Sequence, residues 1–475
     1  MSDSSLCFAS ARELARRIRE RELSAREVMA AHLGQIDRLN PCLNAIVAKL
    51  DDAACLALAE AADHRLASGD DVGPLHGLPI AFKDLEAAVG FPCTRGSLIY
   101  QDDRPLEDTV LVERLRRAGA IPIGKTNVPE FGMGSHTYNK VYGTTRNPYD
   151  LSKSAGGSSG GAGAALAAGL LPIADGSDLG GSLRNPGNFN NVVGFRPTVG
   201  LVPIAPSTLP FVGFLSKGPL ARSVGDAALL LSVMAGADPR DPACYPSNPA
   251  GFAQPLHRGF GGVRIAWSPD LGGLPLDSRV RDVLGRQRRT FDDLGCEVED
   301  ACPDLREADD IFLTIRRWRS WATYGALVGE HRDRLKPEAV EEIEAGSRVS
   351  GTALADAMAR HSALLERIRR FEERYEFLVC AVNQVPPFDT TIDWPRHIDG
   401  VEMEHYVAWM KSAYWISVTF RPAISVPAGF TSEGLPVGIQ IVGRYRDDSG
   451  VLQLAHAFEQ ATGFGLRHPA QPEQG

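Results

Sequence analysis

The sequence predicts an α/β fold, and two features of the chain support this prediction. Short apolar runs typical of buried strands alternate with longer amphipathic segments typical of helices along most of the chain. Hydrophobic residues make up 44% of the 475 residues, and we find no low-complexity tract. A chain of this length and composition can bury a large core, in one big domain or in two ordinary ones.

Apolar periodicity and turn residues place the individual elements. The N-terminal half is predicted to contain two or three amphipathic helices within residues 10–68, strands at 78–83 and 121–123, and helices at 106–118 and 162–171. The C-terminal half is predicted to contain helices at 220–236, 276–294 and 449–461, mainly helical structure over 305–375, and strands at 262–268, 296–299, 423–426 and 437–442. No internal repeat is evident.

Charge and apolar patterning argue against several classes of partner. The formal net charge of −9 gives no general attraction to nucleic acid or to anionic lipid. No run of about 18 apolar residues predicts a membrane span, and the N-terminus lacks the pattern of a signal peptide. The eight cysteines are scattered, without a CxxC pair, as expected of reduced thiols. We therefore expect a cytoplasmic protein that binds neither nucleic acid nor membrane.

Residues 119–126, GAIPIGKT, match the phosphate-loop pattern GxxxxGK[ST]. A phosphate loop follows a strand and offers backbone N–H groups to the ligand. This segment follows a predicted helix, and its interior is apolar and contains Pro122, which has no N–H group. A buried strand explains the segment better than a nucleotide site.

Ser159 is the central residue of a GxSxG segment at 157–161, the pattern of a nucleophile elbow. An elbow hydrolase also needs an acidic residue and a histidine further along the chain. Histidines do follow, but none stands in a convincing local context, and His405 and His456 fall within predicted helical runs. An elbow centred on Ser159 is therefore the weaker explanation of this segment.

A third pattern combines Lys83 with Ser158 and Ser182, which stand in two glycine-rich segments separated by a predicted helix and a short strand. A serine hydroxyl needs a neighbouring base, and a lysine serves as that base only where burial favours its neutral form. Lys83 follows the apolar residues 80–82, a setting compatible with burial. Taken alone, a lysine paired with Asp84 or another carboxylate would explain this position better.

The wider sequence resembles the amidase signature family, and this resemblance reverses that preference. It spans roughly residues 10–460 in the family's order. The matching segments are GLPIAFKDL (77–85), GKTNVPEFG (124–132), GTTRNPYD (143–150), AGGSSGGAGAALAAG (155–169), DGSDLGGSLRNP (175–186), GFRPTVGLVP (194–203), GPLARSVGDAALLL (218–231), PAISVPAGF (422–430) and GLPVGIQIVG (434–443).

The resemblance implies a single domain, residues 1–475, built as a large α/β/α sandwich with a mixed central β-sheet. It divides the chain into N-terminal helices (1–70), a core that carries the catalytic residues (71–235) and the remainder of the core with a helical insertion around 305–375 (236–475). The implied activity is hydrolysis of an amide C–N bond, with no cofactor and no metal. We find no HExxH, HxH or CxxC segment either.

The resemblance also assigns catalytic roles. It implies a triad with Ser182 as nucleophile, Ser158 as bridge and Lys83 as base, and a cis peptide bond before Ser158. The N–H groups of residues 179–182 are suited to an oxyanion hole, because Gly180 and Gly181 allow a substrate carbonyl to approach closely. The candidate oxyanion-hole residues are therefore Leu179, Gly180, Gly181 and Ser182. Asp178 and Arg184 are expected to brace their loop through hydrogen bonds.

The acyl site departs from the family's usual sequence, which leaves the substrate open. Leu179 replaces a usual threonine, and Phe420 stands where many members carry small residues, so Phe420 is a candidate pocket wall. Gly132 and Met133 match family positions that line the pocket. The aromatic segment 406–420 suggests a hydrophobic small-molecule amide, such as an aryl acylamide, a fatty amide or a urethane.

The main alternative within the resemblance is the glutaminase subunit of a tRNA-dependent amidotransferase. Such subunits typically carry an Asn-Leu-Ser-Arg-Tyr-Asp-Gly-like segment before the C-terminal helices, and we find none in this chain. A non-enzymatic binding module is disfavoured, because all three residues of the implied triad are present. A monomer and a homodimer are both compatible with the sequence.

Overall fold

Helices and strands alternate along residues 3–470, the part of the chain that the computed structural model describes. The helices are α1 (Asp3–Phe8), α2 (Ala11–Arg19), α3 (Ala25–Leu43), α4 (Asp52–Ala67), α5 (Val110–Arg117), α6 (Gly160–Ala167), α7 (Arg184–Phe189), α8 (Val224–Met234), α9 (Ser278–Asp293), α10 (Ala308–His331), α11 (Pro337–Ser347), α12 (Gly351–Glu372), α13 (Lys411–Val418) and α14 (Asp448–Thr462). None of these helices is long and apolar enough to cross a bilayer.

The strands form one large sheet and several small ones. They are β1 (Ile46–Val47), β2 (Pro79–Lys83), β3 (Ile121–Thr126), β4 (Tyr138–Asn139), β5 (Gly143–Thr144), β6 (Arg146–Asn147), β7 (Asp150–Ser154), β8 (Ile173–Asp178), β9 (Val193–Arg196), β10 (Ser216–Ala221), β11 (Arg264–Trp267), β12 (Glu297–Asp300), β13 (Phe377–Ala381), β14 (His397–Ile398), β15 (Val401–Glu402), β16 (Ala423–Phe430) and β17 (Pro436–Gly443).

The large sheet has eight strands in the order β12-β11-β13-β17-β16-β9-β10-β8. β11 runs parallel to β12 and β13, whereas the remaining neighbours pair antiparallel. The sheet is therefore mixed, as the family resemblance implies. A smaller sheet, β1-β3-β2, lies beside its β8 edge, where β2 contacts β8.

Successive residues along the central strands belong to two different hydrophobic cores. Ile265 belongs to the core that includes side chains of α8, α9 and α14, whereas the next residue, Ala266, belongs to the core formed with α10, α12 and α13. Phe377 and Leu378 divide in the same way. Because successive strand residues point to opposite faces, helices cover both faces of the sheet. The predicted α/β/α sandwich is confirmed.

Most of the predicted elements occur close to their expected positions, and the starts of two helices differ for the same reason. The helix predicted at 106–118 begins at Val110, because the Thr109 hydroxyl accepts a hydrogen bond from the N–H of Val112 and caps the helix. The helix predicted at 220–236 begins only at Val224, after the Ser223 cap, and residues 216–221 form β10 instead. In both cases a capping hydroxyl fixes the start of the helix a few residues after the position that apolar periodicity predicts.

Candidate active site

Lys83 is the last residue of β2, and its side chain is fully buried. Its ammonium nitrogen Nζ lies 2.8 Å from the hydroxyl of Ser158 and 2.9 Å from the hydroxyl of Ser177. The backbone N–H of Lys83 donates to Asp175 Oδ1 at 3.0 Å. Both Asp175 and Ser177 belong to β8, so the neighbouring strand of the large sheet positions the lysine.

Burial lowers the pKa of Lys83 to about 7, because removal from water disfavours the ammonium form. The carboxylates of Asp175 and Glu86 act in the opposite direction but do not cancel this effect. A substantial fraction of neutral amine is therefore present near neutral pH. A neutral lysine amine can accept a proton from a neighbouring hydroxyl.

Ser158 lies in the loop that leads into α6, and only 2% of its surface is exposed. The Gly157–Ser158 peptide bond is cis, as the family resemblance implies. The Ser135 hydroxyl donates to the carbonyl oxygen of Gly157 at 2.5 Å, and the Thr137 hydroxyl donates to that of Gly156 at 2.8 Å. These contacts fix the backbone on which the Ser158 hydroxyl faces Lys83.

Ser182 lies in the loop between β8 and α7. Its carbonyl oxygen accepts a hydrogen bond of 3.2 Å from the N–H of Ser159, the residue after Ser158. This bond joins the two glycine-rich loops directly. The structure therefore brings Lys83, Ser158 and the Ser182 loop together, although these residues lie far apart in sequence.

The N–H groups of the loop from Leu179 to Ser182 differ from one another in whether they already have a hydrogen-bond acceptor. The N–H of Gly181 donates to Asp178 Oδ1 at 2.7 Å, so a protein acceptor already occupies it. Among the described residues, no acceptor is bound to the N–H groups of Gly180 and Ser182. Gly181 has a φ of +124°, and a Cβ there would lie 2.6 Å from Asn185 Oδ1, so only glycine fits.

Asp178 organises this loop from inside the protein. Its carboxylate accepts hydrogen bonds from the N–H groups of Gly181 and Leu183 and from the guanidinium groups of Arg184 and Arg196. Asp178, Arg184 and Arg196 are all fully buried. Burial by itself would raise the pKa of Asp178, but the two arginines hold this pKa well below its ordinary value.

We expect Asp178→Asn to lower the free energy of unfolding by about 3–5 kcal/mol, because it leaves two buried arginines without their carboxylate. Denaturant unfolding followed by fluorescence measures this change. Asp293→Asn is the matched control, since its side chain is 68% exposed beside Arg289, and it should change the free energy far less. Equal changes in the two variants would show that Asp178 does not brace the loop.

The segment 130–134, which holds both predicted pocket residues, passes next to Ser158 at Gly132. Gly132 has a φ of +71°, and a Cβ there would lie 3.3 Å from the Ser158 hydroxyl. Met133 is buried, and its carbonyl oxygen accepts a hydrogen bond of 2.5 Å from Lys336 Nζ. Lys336 precedes α11, so the helical insertion contacts the segment beside Ser158.

Phe420 lies in a cluster of aromatic rings. Its ring packs against Phe214, at a centroid distance of 5.9 Å, and against His361 at 4.9 Å. Phe214 stacks in turn on Phe312, whose ring end would lie 2.8 Å from a Cβ at Gly180. Phe420 therefore reaches the serine loop through two other aromatic rings.

The structure supports neither a phosphate loop at residues 119–126 nor a nucleophile elbow at residues 157–161. Residues 121–126 form β3, fully buried in the small sheet, as expected for a strand rather than a phosphate loop. The Ser159 hydroxyl is buried and has no hydrogen-bond partner among residues 3–470, so no histidine lies beside it. His456 lies in α14 as predicted, whereas His405 lies in a turn outside any helix.

Sequence reasoning did not single out Ser177 or Asp175, which both contact Lys83. A signal was present, because two polar residues two positions apart point to the same face of a buried strand. Such a pair inside an otherwise small and apolar segment indicates a polar partner on that face. Here the partner is Lys83.

Within the described part of the chain, three side chains with metal-ligand atoms lie close together. Ligand atoms of Asp309, Glu404 and His405 lie within 4.8 Å of one another. Lys411 Nζ lies 3.1 Å from Asp309 and 3.5 Å from Glu404, so a protein cation already neutralises these carboxylates. The geometry therefore gives no reason to place a metal ion there.

Comparison with known proteins agrees with this geometry. The family model described as Amidase matches residues 27–452. The chain is 35% identical over 473 residues to an acylamidase of Rhodococcus erythropolis, with 99% of each chain covered. It is 34% identical over 504 residues to one of the subunits of the glutamyl-tRNA(Gln) amidotransferase of Cupriavidus necator, covering 97% of this chain and 98% of that one.

A solved structure shares the fold almost completely. The crystal structure of a bacterial aryl acylamidase of the amidase signature family aligns with a TM-score of 0.89 at 29% identity, covering 98% of this chain and 99% of the other. The chain therefore belongs to the amidase signature family and is a hydrolase of that family. The family predicted from the sequence motifs is confirmed.

Proposed function

We propose that this protein hydrolyses linear amides through an acyl-enzyme on Ser182, with Lys83 as base and Ser158 as proton relay. The observation that carries the proposal is the buried Lys83 Nζ, 2.8 Å from the Ser158 hydroxyl. Within residues 3–470 no carboxylate forms an ion pair with this nitrogen, whose hydrogen bonds go to Ser158 and Ser177. An unpaired buried lysine favours its neutral, basic form.

Acylation begins when the Ser182 oxygen attacks the amide carbonyl carbon. The Ser182 proton passes to the Ser158 oxygen, and the Ser158 proton passes to Lys83 Nζ, which becomes an ammonium group. The negative charge then resides on the former carbonyl oxygen. The unoccupied N–H groups of Gly180 and Ser182 are the donors proposed to stabilise it, because Gly181 already donates to Asp178.

The C–N bond breaks when the leaving nitrogen receives a proton from Ser158, which regains one from Lys83. An amine departs, and the acyl group remains as an ester on Ser182. Water then attacks this ester and gives up a proton through Ser158 to Lys83, which returns it by the same path to the departing Ser182 oxygen. The products are a carboxylic acid and the free Ser182 hydroxyl, so each group of the triad returns to its starting state.

Aromatic side chains near the serine loop support a hydrophobic acyl group. Phe312 and Tyr414 lie against Gly180, and their rings stack at 4.2 Å. Phe131, beside Gly132, stacks on Tyr324 at 4.5 Å. Apolar and aromatic walls around a few polar groups are typical of sites for hydrophobic ligands. The acylamidase relative and the aryl acylamidase neighbour support the same class of substrate.

The glutaminase of a tRNA-dependent amidotransferase remains the second candidate, because the Cupriavidus necator relative is 34% identical to this chain over nearly its whole length. A glutaminase site has to hold the ammonium and carboxylate groups of glutamine, and it needs charged side chains for them. The segment 406–420 packs mainly into an apolar core, with Tyr406, Trp409 and Tyr414 buried. This packing favours the amidase.

The proposal predicts the substrate preference of the purified chain. Acyl anilides, primary fatty amides and carbamates should be compared with glutamine by measuring the released aniline or ammonia. We expect kcat/KM for the best hydrophobic amide to exceed that for glutamine by roughly 10²-fold or more, because an apolar site cannot pair the two charges of glutamine. Enzyme inactivated with a fluorophosphonate serves as the control for background hydrolysis. Glutamine hydrolysis at an equal or higher kcat/KM would favour the glutaminase instead.

A further inference from the structure

A second buried lysine lies close to Lys83. Lys217 on β10 is the register partner of Ser177 on β8, and Ser177 binds Lys83. Residues directly opposite on antiparallel strands point to the same face of a sheet. Lys217 therefore projects from the face of the large sheet on which Lys83 lies.

Lys217 pairs with Glu86, which follows β2 by three residues. Its Nζ lies 2.6 Å from Glu86 Oε2, and only 5% of Lys217 and 2% of Glu86 are exposed. The Thr109 hydroxyl also donates to Glu86 Oε2, at 2.8 Å. The Thr109 hydroxyl thus holds the Glu86 carboxylate in place beside Lys217.

Stability does not explain this pair well. Transferring two charges from water to the interior costs about as much as their attraction returns, so apolar residues of similar volume would serve equally. Each charge of a buried pair does, however, create a strong local potential that its partner offsets, because the interior screens charges poorly. The group nearest to this potential that has to exchange a proton in the proposed mechanism is Lys83.

We propose that the two charges of the Glu86–Lys217 ion pair balance each other at Lys83, so that the Glu86 carboxylate does not hold a proton on the Lys83 amine at neutral pH. The inference rests on the proposed function, in which Lys83 is the base. In this role the Lys217 cation offsets the Glu86 carboxylate, which alone would hold a proton on Lys83. Neither residue contacts the reacting atoms.

The electrostatic effects at Lys83 agree with this role. Burial is the main cause of its lowered pKa, the carboxylates raise that pKa, and the Lys217 cation lowers it further. Other charged groups surround Lys83 and remain unchanged in the test below. They are Asp84 after β2, Lys125 on β3, Asp175 and Asp178 on β8, and Arg184 and Arg196, which pair with Asp178.

The test is the pH dependence of kcat/KM for an acyl anilide. In the wild-type protein we expect activity to rise with pH through about 7, because the neutral form of Lys83 is the base and its pKa is about 7. We call this rise the rising limb of the pH profile. Glu86→Gln leaves the Lys217 cation unbalanced and should move the rising limb about one pH unit toward lower pH. Lys217→Met leaves the Glu86 carboxylate unbalanced and should move it about one unit toward higher pH.

Two further variants separate this electrostatic role from a structural one. The double variant Glu86→Gln/Lys217→Met removes both charges and should return the limb to its wild-type position. Lys217→Arg keeps the charge and should also leave the limb unchanged. If one of the two single variants does not fold, as judged by circular dichroism, the other decides by itself, because each is expected to move the limb in its own direction while the double variant does not.

The inference would be overturned if the rising limb stays in place in Glu86→Gln and Lys217→Met, or if it moves in the same direction in both. Failure of the proposed function gives a different result, in which Lys83→Met retains the wild-type limb. An essential Lys83 combined with unmoved limbs in the Glu86 and Lys217 variants would reject the role of the ion pair alone.

Discussion

Ser182→Ala is expected to lower amide hydrolysis by roughly 10⁴-fold or more, because no acyl-enzyme can form without the nucleophilic oxygen. The fold should persist, since the hydrogen bond that joins the two serine loops uses the carbonyl oxygen of Ser182 and not its side chain. Single-turnover kinetics with an acyl anilide and far-ultraviolet circular dichroism measure the two quantities.

Ser159→Ala is the matched control for this prediction. Ser159 lies next to Ser158, and its hydroxyl is buried without a hydrogen-bond partner among the described residues. Its loss should leave kcat/KM within about tenfold, since the group takes part in no proton transfer. Peptide mapping after fluorophosphonate labelling should locate the adduct on Ser182. An adduct on Ser158 or Ser159 would contradict the assignment of Ser182 as nucleophile and would favour the nucleophile elbow at residues 157–161 instead.

The residues of the proposed triad were predictable because short sequence motifs carry them. Lys83 ends an apolar run that forms β2, and Ser158 and Ser182 stand in glycine-rich segments that form loops next to a helix. Local sequence determines each of these features. The family resemblance supplied what local sequence cannot, namely that the three segments meet in space.

The residues around the triad were harder to predict, because their roles depend on strand register. Lys217 looks like a solvent-exposed residue in front of a helix, and it becomes a buried partner of Glu86 only once β10 pairs with β8. The prediction of Phe420 as a pocket wall rests on its place in the sequence, and only the fold shows that its ring packs against Phe214 and His361. Contacts between residues that lie far apart in the sequence produce no periodic pattern from which they could be predicted.

Lys83→Ala is expected to depress amide hydrolysis more than hydrolysis of an activated ester, by an additional ~10²-fold if one proton transfer is lost. An amide anion is too basic to leave, so the departing nitrogen needs the proton that Lys83 delivers through Ser158. A nitrophenolate leaves without a proton and requires only an activated nucleophile. Lys83 Nζ binds the Ser158 hydroxyl at 2.8 Å, which is the contact this path uses.

The measurement compares an anilide and a nitrophenyl ester that share one acyl group, so that acyl binding and deacylation are common to both. Lys153→Ala is the control, since this lysine is partly exposed beside Asp389 and should affect neither substrate. Pre-steady-state kinetics must first establish that acylation limits both reactions, because a shared deacylation step would hide the difference. If both substrates then lose the same factor in Lys83→Ala, Lys83 activates Ser182 but does not donate the proton to the leaving group.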